Sequence, residues 1–212
     1  MTHWREYIAS QMRANLKTLS ETRDYWYPLS EPTYDEREVL EALDSMMNFK
    51  TTMWAKTQKF EKKFGDLFDS HAVMVNSGSS ADLLISFGLL SNLTESLQKG
   101  DEILVPAVTW PTHLWSILMA GFKAKLVDVD VKNLNIDLLD LKSKVGPKTK
   151  ALFLVHLMGN MANMDEVQKI CNEHNLILLE DTCESLGSRF KGKLAGTFGL
   201  ASSFSFFFSH HM

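Results

Sequence analysis

The stretch NSGSSA, residues 76–81, joins an apolar run to a segment of helical character. Gly78 permits a tight turn there. The amides and hydroxyls of Ser79 and Ser80 then face the positive end of a helix dipole, where a phosphate can be held. Serines at such a place serve equally well as helix caps. Asp181 directly follows the apolar run LILLE. A carboxylate at that strand end can meet a protonated ring nitrogen, or can simply shape a turn. Trp110 lies just past EILVPA, where its indole can stack on a flat ring or fill core. Ser205, inside SFSFFF, is a further hydroxyl for a phosphate or an ordinary strand residue.

The histidines offer no metal site by spacing. His71, His113, His156 and His174 lack ligand intervals. His210 and His211 are adjacent, so their rings point to opposite faces of a strand and diverge on a helix. Walker-type glycine loops are absent, and no G-x-G-x-x-G follows the first strand.

These residues need a scaffold, and the pattern from residue 71 onward supplies one. The apolar runs AVMVNS, EILVPA, KAKLVDVD, KALFLVHLMG, LILLED and SFSFFF read as strands. Between them SGSSADLLISFGLLS, PTHLWSILMAGF, IDLLDLKSKV and MDEVQKICNEHN read as helices. Such alternation specifies an α/β fold, a mostly parallel sheet with helices on both faces. Ligands of open α/β sheets gather outside the carboxyl ends of the strands. The first seventy residues read as helices: WREYIASQMRANLKTLSETRDYW, then a tyrosine-rich connector, then 34–47, then TQKFEKKFGDLF. In the last of these, Phe60, Phe64 and Phe68 form a core stripe at helical spacing. Residues 1–50 are therefore expected to be an N-terminal helical segment, and 51–212 the ligand-binding domain.

Composition sets outer bounds. A net charge of −4 over 212 residues gives no general affinity for nucleic acid or anionic membrane, and no apolar stretch reaches membrane-spanning length. With no secretory signal in MTHWREYIAS, Cys171 and Cys183 are expected to be reduced thiols of a cytoplasmic protein.

In order and spacing, NSGSSA, GDEILVPAVTW, ED, KGKLAGTFG and FSF resemble the PLP-dependent sugar-nucleotide aminotransferase family of fold type I. The resemblance covers the chain from about residue 50 onward. It implies that Gly78, Ser79, Ser80 and Ser205 hold the phosphate of pyridoxal or pyridoxamine 5′-phosphate, that Trp110 stacks on its ring and that Asp181 pairs with its nitrogen. It also implies a homodimer, a nucleotide-sugar substrate, glutamate as a possible amino donor, and a small C-terminal domain outside these 212 residues. One departure matters most. Aminotransferases of the family carry their cofactor-tethering lysine five residues after the FSF serine, and here that position is His210. The only lysines after Asp181 are Lys191 and Lys193. Histidine at this place resembles the 3-dehydratase branch, as does Glu184 where EDxxQ is usual. The implied activity is loss of the C3 hydroxyl of a nucleotide-linked 4-keto-6-deoxyhexose in O-antigen deoxysugar synthesis. A GDP sugar is favoured, with His210 as the base; the alternatives are a CDP sugar, a sugar-nucleotide aminotransferase and a non-catalytic homologue. His211 is expected to be structural.

Overall fold

The computed structural model describes residues 3–21, 34–90, 97–207 and 210. Most of the tyrosine-rich connector and His211 lie outside them. The described chain divides into two compact units, one of residues up to Met74 with Phe207 and His210, the other running from Val75 to Phe206.

The first unit is helical: α1 (His3–Glu21), α2 (Glu36–Met47) and α3 (Ala55–Phe68). Helix α2 starts one residue after Asp35, whose carboxylate accepts the Arg37 amide while Glu38 accepts the Asp35 amide, a reciprocal cap. Arg5 of α1 and Lys56 of α3 both reach Glu41 and Asp44 on α2, at 2.8 to 3.4 Å. These pairs are exposed and orient the helices more than they stabilise them. The rings of Phe60, Phe64 and Phe68 stack at 5.4 and 4.8 Å, but only Phe68 is buried, so the stripe is core at one end. Residues 71–75 form no strand. The Met74 amide donates to the Glu61 carboxylate at 2.8 Å instead of to a neighbouring chain, and Val73 is exposed. An apolar run becomes a strand only where another strand offers its edge, and none does so here among the described residues.

The second unit contains α4 (Gly78–Gly88), β1 (Glu102–Pro106), α5 (Pro111–Met119), β2 (Lys123–Val127), α6 (Leu138–Lys144), β3 (Thr149–Val155), α7 (Met164–Glu173), β4 (Ile177–Asp181), a hairpin of β5 (Arg189–Phe190) and β6 (Lys193–Leu194), and β7 (Ala201–Ser203). The main sheet has the order β2-β1-β3-β4-β7, and every adjacent pair is parallel. Its pleat sorts the apolar side chains. Leu104, Leu152, Leu154 and Leu178 pack with Leu141, Met164, Val167 and Ile170 of α6 and α7. Ile103, Val105, Phe153 and Leu179 belong to a second cluster with Ile117 of α5. From β1 the chain moves outward to β2, then returns past β1 to β3, β4 and β7. That reversal opens a crevice beside the carboxyl end of β1.

The last strand lies earlier than SFSFFF suggests. It pairs Ala201, Ser202 and Ser203 with Leu179, Glu180 and Asp181, and stops where β4 stops. Thr182 then turns back to bond the Ser203 carbonyl through its amide and its hydroxyl. Residues 204–207 lie beyond the ladder. Lys191 and Gly192, with φ of 50° and 84°, turn the β5–β6 hairpin.

Glu180, fully buried on β4, organises the approach to β7. It accepts His156 Nε2 at 3.1 Å and the amides of Gly196, Phe198 and Gly199 at 3.0, 2.7 and 2.8 Å. Burial would raise its carboxyl pKa, but His156 and the amides of Gly196 and Gly199 outweigh that and hold it below the usual value. Gly199 is required at its place, since a Cβ there would meet the Leu178 carbonyl oxygen at 2.5 Å. Glu180→Gln, which turns one acceptor oxygen into a donor, is expected to cost about 3 kcal/mol in urea unfolding at neutral pH. A depressed carboxyl contributes its stability above the unfolded carboxylate range and loses it as pH falls through the folded value. The gap between wild type and variant should therefore narrow in acid.

Candidate active site

Ser77, not Ser79 or Ser80, caps α4: its Oγ accepts the Ser80 amide at 3.2 Å and its hydroxyl donates to Ser80 Oγ at 3.1 Å. The first helical bond runs from the Ala81 amide to the Ser77 carbonyl. The amides of Gly78 and Ser79 thus have no acceptor within the helix, which is the condition for anion binding at a helix start. Gly78 is needed for space and not for turn geometry, since its φ is not positive. A Cβ on it would stand 2.8 Å from Cys183 Sγ and 3.1 Å from Ser205 Cβ. That contact places Ser205, half-buried, beside the start of α4. The two features that the sequence separates by more than a hundred residues are brought into contact.

Asp181, buried at the end of β4, is both turn former and charge centre. Its Oδ1 accepts the Cys183 amide at 2.8 Å, and its Oδ2 lies 2.6 Å from His113 Nε2. Burial would raise this carboxyl, but the His113 ring and the Cys183 contacts outweigh it, so the group is held ionised below its ordinary pKa. Trp110 is 67% exposed at the start of α5, which excludes the core reading and leaves the indole available to a ligand. Contacts link every member: Ser205 to Gly78, Gly78 to Cys183, Cys183 to Asp181, Asp181 to His113, and His113 Nδ1 to the Trp110 carbonyl at 3.1 Å. An ionised carboxylate has acceptor capacity beyond the two contacts observed. The donor set therefore fits a phosphate at one end and a cationic ring nitrogen at the other, as pyridoxal or pyridoxamine phosphate presents them.

His113 and Asp82 are the members of this cluster that the sequence did not single out. Both are buried, with Nε2 of His113 3.6 Å from Asp82 Oδ2. A single histidine in PTHLWSIL and an aspartate in SSADLL show nothing until α4, α5 and β4 converge. Glu184 accepts the amide of Met158, a left-handed residue with φ of 54°, at 2.9 Å, and so braces the turn after β3. Lys191 pairs with Asp165, and Lys193 lies over the Phe198 ring at 4.4 Å, so both lysines are engaged around the hairpin. An open pocket of about 610 Å³ bordered by Asn135, Asn160 and Lys191 contains none of the site residues. His210, in the other unit, is half-buried, with its ring edge-on to Phe207 at 5.6 Å and its amide bonded to the Phe207 carbonyl at 3.0 Å.

Gly78→Ala should push Cys183 and Ser205 away from the α4 start. The expected cost is about 1–3 kcal/mol of stability, with phosphate retention weakened in the same variant. Denaturant unfolding and equilibrium dialysis against pyridoxal phosphate measure the two effects separately.

Comparison with known proteins accords with this geometry. A GDP-4-keto-6-deoxy-D-mannose 3-dehydratase of Escherichia coli O55:H7 is 45% identical over 188 residues, covering 88% of this chain and 48% of that protein. The solved structure of E. coli GDP-4-keto-6-deoxy-D-mannose-3-dehydratase with bound hydrated PLP matches with a TM-score of 0.82 and 44% identity, over 88% of this chain and 48% of that one. A GDP-4-keto-6-deoxymannose-3-dehydratase with a trapped PLP–glutamate geminal diamine matches with the same TM-score and identity, over 88% and 49%. The chain spans about half the length of the curated relatives it matches. Its parallel sheet and covering helices are those of a fold type I PLP-dependent enzyme. The profile of the DegT/DnrJ/EryC1/StrS aminotransferase family matches residues 32–212, and the chain belongs to that family.

Proposed function

We propose that this chain carries the cofactor site of a PLP/PMP-dependent 3-dehydratase that removes the C3 hydroxyl of a nucleotide-linked 4-keto-6-deoxyhexose, with a GDP sugar as the favoured substrate. One observation carries the reading: a glycine-serine helix start and a buried anionic Asp181 occur in a chain with histidine, not lysine, at 210. The similarity to GDP-sugar 3-dehydratases favours GDP over CDP or dTDP. The trapped glutamate adduct of one relative favours glutamate as the amino donor. A homodimer and a cytoplasmic location complete the proposal.

When bound, pyridoxamine phosphate supplies an amine for the C4 ketone and a ring that accepts the electron pair released at its C4′ carbon. The amides at the start of α4 and the hydroxyls of Ser79, Ser80 and Ser205 hold the phosphate. Trp110 covers the ring, and Asp181 keeps the ring nitrogen protonated. Glu184 steadies the neighbouring Met158 turn. His210 takes the proton from C4′ and returns one to the departing C3 oxygen, so that hydroxide leaves as water. Imidazole forms no covalent link to an aldehyde, so the cofactor is retained by these contacts alone. With no lysine at 210 to deliver a proton to C4 of the sugar, elimination is favoured over amino transfer.

His210→Asn is expected to lower dehydration by about 10²- to 10⁴-fold while leaving pyridoxamine phosphate binding near wild type. The assay uses GDP- and CDP-4-keto-6-deoxy sugars with glutamate and identifies the product. A 3-deoxy keto sugar supports the proposal. A 4-amino sugar, or undiminished turnover in the variant, overturns it.

A further inference from the structure

Asp82 lies in α4 with only 2% of its surface exposed, and its Oδ1 has no hydrogen-bond partner. Its Oδ2 makes a 3.5 Å contact with the Thr112 hydroxyl and faces His113 Nε2 at 3.6 Å, with the Ser203 hydroxyl also against the carboxylate. A buried carboxylate so poorly hydrogen-bonded is costly unless a charge compensates it. His113 can supply that charge, and its surroundings favour it. Nδ1 faces the Trp110 carbonyl, which can only accept, and the Thr109 hydroxyl at 2.6 Å. Nε2 faces two carboxylates. A ring with acceptors facing both nitrogens favours imidazolium, with Nε2 held by ion-pair contacts and not by an aligned hydrogen bond.

Resting on the function proposed above, we propose that Asp82 and His113 are positioning residues for Asp181: a carboxylate–imidazolium–carboxylate chain whose net charge of −1 is balanced by the protonated ring nitrogen of the cofactor. Without Asp82, the His113–Asp181 pair would already be neutral, and a cationic ring would gain little by docking there. Asp82 restores the missing negative charge from behind. Thr109 and the Trp110 carbonyl fix the His113 ring, which in turn fixes Asp181 Oδ2. The same helix α5 that exposes the Trp110 indole at its start therefore also sets the charge facing the ring nitrogen.

The shift in acidity at His113 favours the charged chain, and that at Asp82 opposes it. Burial disfavours a cationic His113, but the Asp181 contact outweighs it and raises the ring pKa. Burial pushes Asp82 up to about 6, against the pull of His113. The titratable groups in this cluster are Asp82 on α4, His113 on α5, Asp181 at the end of β4 and Cys183 just beyond. Burial and the Asp181 charge keep the Cys183 thiol protonated. Phe153 from β3, edge-on to His113 at 5.1 Å, and Ser203 from β7 close the cluster without charge.

The test compares the full chain as wild type, Asp82→Asn, His113→Gln and the double variant. Two readouts are used: the His113 imidazole titration by NMR of the apoprotein, and pyridoxamine phosphate affinity by equilibrium dialysis. Asp82→Asn should lower the His113 midpoint by about one pH unit, tenfold in proton affinity, and weaken pyridoxamine phosphate binding about tenfold. His113→Gln leaves two facing carboxylates with a net charge of −2 and should not weaken binding through charge. The double variant returns the net charge to −1 and should recover most of the affinity lost in Asp82→Asn. A merely structural role predicts additive losses in the double variant. Additive losses, or an unchanged His113 titration in Asp82→Asn, would overturn the inference. Thermal unfolding of each variant separates a lost fold from a lost charge. If wild type binds neither form of the cofactor, the proposed function fails and the ring nitrogen with it, while the apoprotein titration still decides whether the charged chain exists.

Discussion

Two consecutive acids at the end of β4 set the terms for the rest of the second unit. Glu180 and Asp181 are both buried, and the alternation of a strand sends them to opposite faces of the sheet. Neither can stay ionised in the interior without dedicated partners. Glu180 gathers His156 and three amides of the 196–199 segment, which fixes the path into β7. Asp181 gathers His113 and the Cys183 amide, which ties α5 and the β4 exit together. One acid is closed off by backbone. The other keeps acceptor capacity toward the crevice. Scaffold and site therefore depend on the same solvation problem, solved differently on the two faces.

The parallel sheet was legible because its strands are buried on both faces and read as continuous apolar runs. EILVPA, KALFLVHLMG and LILLED each mark a strand, and the helices between them follow within a few residues. Two runs misled for a common reason. AVMVNS and SFSFFF have strand composition, but a ladder needs a partner edge, and strand composition does not state where that edge ends. The turn at NSGSSA was legible as a helix start, whereas the reason for its glycine was not. Sequence suggests conformational freedom; the fold requires an absent side chain, because Cys183 and Ser205 occupy the space. Trp110, Asp181 and Ser205 could be singled out at strand ends without geometry. Asp82 and His113 could not, because their significance lies in a convergence of three elements far apart in the chain.

Family membership and the residue at 210 pull in different directions. The family is described as one of aminotransferases, yet this chain has histidine where their lysine would stand. The phosphate turn and the Asp181 cluster are independent of that exchange. In the proposed function, binding the cofactor and choosing its reaction are thus carried by different parts of the sequence. The first resides in strand ends and a helix start of the α/β unit. The second turns on one position near residue 210.

Cys183 illustrates what close packing does to a reactive atom. Its sulfur lies against Gly78, at the start of α4, and burial beside Asp181 keeps it a neutral thiol. A neutral thiol is a poor nucleophile toward peroxide and alkylating reagents. An oxygen atom added to that sulfur would be driven into the start of α4. The arrangement that brings Ser205 to the start of α4 also passivates the thiol whose oxidation would dismantle that turn.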